Sequence, residues 1–297
     1  MFKNLNVSAL GVLGHPSELI ELALTYGFAS VDLNMAEFAA RARRNGLAHA
    51  KRLIQSARLQ VGTFSLPLQW DVDDEAFRAE MKKLPEYLDC AKALGCTRAT
   101  VTIAPANDSR PYHENFEFHR HRLADLGAAM APAGVRLAVG FRAAECHRRN
   151  RVFQFLHDLD AVRLLLGMVA APNVGLWLDP WEVTAAGGSM ENVRKWSPAG
   201  IVAVDVAEMP ADATIPCEDD QSRLLPNAEN GRLDAAGFLS TLNEMGYDGP
   251  VTVRPSHDVF ANHRRETVVR QTAESLDCIW PTAGLSSATQ AVVAAAE

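Results

Sequence analysis

The residues best placed to do chemistry are charged groups at the ends of apolar runs. Asp179 closes the run Val174-Gly175-Leu176-Trp177-Leu178 and is followed by Pro180, while Asp205 interrupts Ile201-Val202-Ala203-Val204. A carboxylate in such a setting must find a cation, a donor or a metal, because an unpaired buried one costs several kcal/mol. Asp179, Asp205 and Glu182 are therefore the candidate acid/base groups, joined by His257, whose imidazole suits proton transfer near neutral pH. The same three acids would be the oxygen ligands of Mg²⁺ or Mn²⁺ if a metal is held at all. Arg254 ends the run Val251-Thr252-Val253. Its guanidinium stays protonated, so it is no base. Two roles are open to it: clamping an anionic group or developing oxyanion, or neutralising Asp179 and Asp205 inside the molecule. For Asp205 the plain alternative is such an internal salt bridge. Arg254, Arg142, Glu208, Trp181 and His15 are the candidate substrate contacts. His113, His119 and His121 read as the solvated face of a helix.

These residues need elements to hold them. Short β-rich runs alternate with stretches of helical period, the pattern of repeated βα units around a parallel sheet. Eight strands are expected: Val7–Leu10, Ser30–Leu33, Gln60–Ser65, Ala99–Ala104, Arg136–Phe141, Val174–Asp179, Ile201–Val206 and Val251–Arg254. Their continuous apolar character fits strands buried on both faces. Phe77, Met81, Leu84, Leu88 and Ala91 predict one helix, kinked at Pro85 and stopped at Gly95. Another begins at Asp234 as N-cap and ends at Gly246. Eight such units in 297 residues predict a single (β/α)₈ TIM barrel over residues 1–281, with an Ala/Ser-rich tail at 282–297. In that fold, catalytic groups come from the C-terminal strand ends, where Asp179, Asp205 and Arg254 fall.

Several classes of function are disfavoured. No GxGxxG follows an early strand and no P-loop occurs, so neither NAD nor a nucleotide is expected. A net charge of −7 argues against nucleic acid, which needs a dense cationic face, and leaves a small molecule as the expected partner. No apolar run reaches the length of a membrane span, and the first residues lack an apolar signal core. Five cysteines without CxxC spacing indicate neither a disulfide framework nor a structural zinc site and fit the cytoplasm. Trp70, Trp181 and Trp280 suit a pocket, an ordinary core or a subunit contact, which leaves a homo-oligomer open.

Four segments together resemble the xylose-isomerase-like TIM barrels, a family of sugar phosphate isomerases and epimerases: GYDGPVTVRP, LWLDPWE, VAVDVAE and RLLPNAENGRLDAAGF. The resemblance implies an enzyme that moves a proton on and off a carbon beside a carbonyl, in a sugar, cyclitol or related compound. It also implies one divalent metal, held by a glutamate after strand five, an aspartate after strand six, a histidine on strand seven and a glutamate on strand eight. Here those positions are Gly140, Asp179, Asp205 and Arg254, and only Asp179 matches. Glu182 stands where the family commonly has histidine, and Glu208 matches the acid that ends strand seven. Both proton-moving glutamates are absent, and Arg254 repels a cation in the usual place, so a missing or displaced metal is expected. Acid/base chemistry around the remaining acids is one outcome; a non-catalytic barrel that binds a sugar-like ligand or a partner is the other. The DNA-repair endonuclease branch needs three zinc ions and ligands that are not here.

Overall fold

The computed structural model describes residues 1–286. Eleven strands form: β1 Phe2–Leu5, β2 Ser30–Val31, β3 Gln60–Val61, β4 Phe64–Ser65, β5 Arg98–Thr102, β6 Ala106–Asn107, β7 Arg136–Gly140, β8 Phe153–Gln154, β9 Val174–Leu178, β10 Ile201–Val206 and β11 Pro250–Val253. Nine make one parallel sheet in the order β3-β2-β1-β11-β10-β9-β7-β5-β4, and β6 and β8 make a small antiparallel pair. The two edges of the large sheet, β3 and β4, are halves of one chain segment. The sheet is thus a nearly closed eight-stranded barrel wrapped by helices, as expected. Leu137, Leu176, Val204 and Val251 are fully buried beneath that helical layer.

The break between β3 and β4 has a local cause. A Cβ at Gly62 would stand 2.1 Å from the Asn4 side-chain oxygen, and the Thr63 amide donates to Asp32 Oδ1 at 2.7 Å instead of continuing the ladder. A polar cluster inside the barrel thereby takes one peptide out of the sheet.

Strand one differs from expectation. It runs over Phe2–Leu5, whereas Val7 to Leu10 lie in a turn. Lys3 and Asn4 look solvated in the sequence but are buried. Lys3 pairs with Asp277, and Asn4 donates to Asp32 at 2.8 Å and Thr252 at 2.9 Å while accepting from Ser30 at 2.7 Å. The predicted kinked helix is two helices, Asp74–Met81 and Leu84–Leu94, and Pro85 sits in the first turn of the second. There its missing N–H costs nothing. Gly95 ends that helix in the left-handed conformation. Asp234 caps the helix Ala235–Met245 through the Gly237 amide at 2.8 Å, and Gly246 ends it.

His119 is a further correction. It belongs not to a wet face but to the core of the helix Tyr112–Met130. Its Nδ1 meets the Asn115 carbonyl at 2.8 Å, and its ring packs against Trp70 and Phe155. Past residue 281 the packing continues through Ala283, which is buried, to Leu285, which is partly buried against the core. The rest of the expected tail, 287–297, lies outside the described residues. All five cysteines are free, and among the described residues no helix is long and apolar enough to cross a membrane.

Candidate active site

A cavity of about 500 Å³ opens at the C-terminal ends of the strands. That size accommodates a small ligand. Asp32, Asp205 and Arg254 line it, together with Trp177, Arg142, Arg223, Asp220 and His257. Hydroxyl and amide groups from Ser8, Thr63, Ser65, Thr100, Gln221 and Ser256 fill out its wall.

The expected acids divide into two groups. Asp179 and Glu182 are buried and fully engaged. Asp179 caps the helix Pro180–Ala185 through the Trp181 amide at 2.9 Å, and its other oxygen accepts from Arg223 at 2.7 Å. Glu182 accepts from Arg223 at 2.7 Å, Arg142 at 3.0 Å and the Ala143 amide at 2.8 Å. Burial opposes the Arg223 charge, but Asp179 and Glu182 outweigh it and hold the guanidinium above its ordinary pKa. These two acids anchor the mouth rather than face the main cavity.

Asp205 does face the cavity. Arg254 donates to its Oδ2 at 3.2 Å, and the guanidinium lies 5.1 Å from the centre of the Trp177 ring. Burial raises the Asp205 carboxyl, and Arg254 opposes that rise. Of the two roles open to Arg254, pairing with Asp205 is realised, whereas Asp179 belongs to Arg223. The Arg254 side chain remains about one-quarter exposed, so donors are left for a ligand.

Asp32 was not among the expected residues. It follows β2 and accepts from Asn4 at 2.8 Å, Asn6 at 2.9 Å and the Thr63 amide at 2.7 Å. Burial pushes its carboxyl up to about 7, with the Asp205 charge adding to the rise against these hydrogen bonds. A carboxylate inside the apolar run Ser30–Leu33 is the signal that singled out Asp205, and here it was passed over. Arg223 was also missed, although Asp179, Glu182 and Asp205 against Arg142 and Arg254 leave one negative charge without a cation.

Other expected contacts fall elsewhere. Trp181 is fully buried beneath Arg223, its ring centre 4.5 Å from the guanidinium, and cannot touch a substrate. Oε1 of Glu208 accepts from the amides of Met209, Arg232 and Leu233, which ties the carboxylate to the segment after β10. His15 caps the helix Pro16–Thr25 and is exposed outside the cavity. His257 lines the cavity, with its Nε2 2.9 Å from the Ala9 carbonyl. Arg142 also lines it while holding Glu182.

The chain matches the family model described as xylose isomerase-like TIM barrel over residues 20–278. It belongs to that family. Among solved structures, the xylose isomerase-like barrel resembles a xylose isomerase domain protein from Alicyclobacillus acidocaldarius at 24% identity and a TM-score of 0.85, covering 96% of this chain and 99% of that one. An IolI protein with a bound zinc atom follows at 17% identity and 0.78, covering 95% and 99%. D-psicose 3-epimerase in the presence of D-fructose is similar at 13% identity and 0.72, covering 96% and 100%. At these identities the likeness is one of fold. No curated protein matches the sequence significantly.

The family's metal position does not suit a cation in this xylose isomerase-like barrel. A Cβ at Gly140 would meet the Trp177 ring at 3.1 Å, so the indole covers the place from which a strand-five carboxylate would reach. Arg254 follows β11, from whose end the resemblance implies a ligand, and the void lined by Gly140, Trp177, Asp179, Glu182, Asp205 and Arg254 is only about 10 Å³. That is near the limit for a single water. The acids there are matched by guanidinium groups rather than left free for an ion.

Proposed function

We propose that the protein is an acid/base enzyme acting on a sugar, cyclitol or related hydroxy-carbonyl compound, in the manner of an isomerase, epimerase or lyase, without a metal in the family's usual position. The observation that carries this reading is an open polar cavity holding two carboxylates of raised pKa, Asp32 and Asp205, beside the partly exposed Arg254. Moving a proton from a carbon next to a carbonyl needs a base that is ionised near neutral pH and a cation or donor at the developing oxyanion. Asp32, with a pKa near 7, can both accept and return a proton at that pH. Asp205, raised by burial against the opposing pull of Arg254, is the second acid/base group. Arg254 presents its remaining donors to the substrate oxygen or to an acidic substituent. Trp177 offers a flat apolar surface for a sugar ring, and the hydroxyl groups around it suit a polyhydroxylated ligand.

The test is hydrogen exchange on carbon. Purified protein is incubated in D₂O with a panel of ketoses, sugar phosphates, ketocyclitols and sugar acids, and proton NMR follows loss of the signal beside the carbonyl. At least one class should exchange, and Asp32→Asn should slow that exchange by about a hundredfold, the loss typical of one general acid/base. Saturable binding with no exchange by any bound compound would favour the second reading, a ligand-binding barrel. The Asp205–Arg254 pair at 3.2 Å is the observation on that side.

A further inference from the structure

A separate constellation lies at the rim. The short 3₁₀ turn Glu145–His147 after β7 carries Cys146 and His147. The long segment after β10 passes over it: the Glu145 amide donates to the Cys217 carbonyl at 3.0 Å and the Cys146 amide to the Glu218 carbonyl at 2.8 Å. These two bonds bring Asp220 alongside, with its Oδ2 2.9 Å from His147 Nε2. One sulfur, one imidazole nitrogen and one carboxylate oxygen thus lie within 4.8 Å of one another.

We propose that Cys146, His147 and Asp220 form a three-ligand zinc site, with water in the fourth position, that clips the segment after β10 to the rim of the barrel. With Zn–N and Zn–O near about 2.0 Å and Zn–S near about 2.3 Å, tetrahedral ligands stand roughly 3.3–3.6 Å apart. The observed spacing needs only side-chain adjustment to reach that. A thiolate with an imidazole selects Zn²⁺ over Mg²⁺ or Mn²⁺, and thiolate plus carboxylate balances the charge of the ion. Cys146 is exposed, which leaves the fourth position open to solvent. Arg142 Nη1 stands 3.6 Å from Asp220 Oδ2, but its closer partner is Glu182 at 3.0 Å. The site is distinct from the metal position that the family resemblance implies, which draws its ligands from the ends of strands five to eight and has no thiolate. Its effect is local: Asp220, Gln221 and Arg223 all line the cavity, so an ion on Asp220 would fix one wall of the mouth.

Co²⁺ supplies the probe, because cobalt bound to a thiolate absorbs through charge transfer that oxygen and nitrogen ligands alone do not produce. The full chain, stripped with a chelator, is titrated with Co²⁺, and Zn²⁺ affinity is then measured against a chromophoric chelator. One equivalent with the thiolate band is expected. The band should vanish in Cys146→Ser and persist in Cys278→Ser, the other exposed thiol. His147→Ala and Asp220→Asn should each weaken Zn²⁺ by about tenfold or more, since losing a ligand costs no less than losing a group that orients one. Absence of stoichiometric binding to the intact chain would overturn the proposal, as would a band of unchanged strength in Cys146→Ser. Thermal unfolding of each variant, expected to match the parent without metal, separates lost binding from lost fold.

Discussion

Asp32 accepts three hydrogen bonds, yet burial and the nearby Asp205 charge hold its carboxyl at about 7. In the unfolded chain an aspartate titrates near about 3.9. Between those values the native state keeps a proton that the unfolded chain has lost, so the contribution of Asp32 to stability is highest below about pH 4, falls as pH rises towards 7, and levels off above it. Three units at about 1.4 kcal/mol each set the fall at no more than roughly 4 kcal/mol. Asp32→Asn removes the titration while keeping the shape. Urea unfolding at pH 5 and pH 8 should therefore show the variant gaining on the parent at the higher pH. The lost acceptor shifts both points by a constant, so the comparison rests on slope, and parallel slopes would remove Asp32 from the acid/base role.

Arg223 belongs to the segment between β10 and the helix Ala235–Met245, and at that scale its work is to hold an element. It reaches from that segment to Asp179 and Glu182, while bridges at Glu208–Leu224 and Pro210–Gly231 fix the segment's course. Arg223→Met leaves two buried carboxylates without their shared cation, which costs about 3–5 kcal/mol for a buried pair broken on one side. Arg149→Met, at a half-exposed pair, should stay within about 0.5 kcal/mol. Chemical denaturation measures both, and amide exchange across 207–234 should quicken only in the first. Equal losses would mean that Arg223 is no anchor. This division also marks what was legible in the sequence. Strands β7, β9, β10 and β11 announce themselves because parallel strands covered on both sides are continuously apolar, and the acids that interrupt them stand out. Strand β1 does not, because Lys3 and Asn4 are buried against partners 274 and 248 residues away. Arg223 lies in an irregular segment with no period to give it a direction, so its place at the mouth does not show in the sequence.

At the scale of the mouth, three acids are set against three arginines: Asp179, Glu182 and Asp205 against Arg142, Arg223 and Arg254. Such a network resists piecemeal conversion to a metal site, because each substitution leaves the other ion pairs in place. Arg254→Glu restores the family's strand-eight ligand and frees Asp205, but Trp177 still covers the strand-five position at Gly140, and Asp179 remains bound to Arg223 at 2.7 Å. The ion would find two oxygen groups where a hard cation such as Mn²⁺ takes about six ligands. The variant, equilibrated with Mn²⁺ and freed of unbound ion, should therefore contain no more manganese by elemental mass spectrometry than the parent chain. Stoichiometric Mn²⁺ in Arg254→Glu alone would mean that Arg223 gives up Asp179 readily, and then the guanidinium network would be a removable occupant of an intact metal site rather than its replacement.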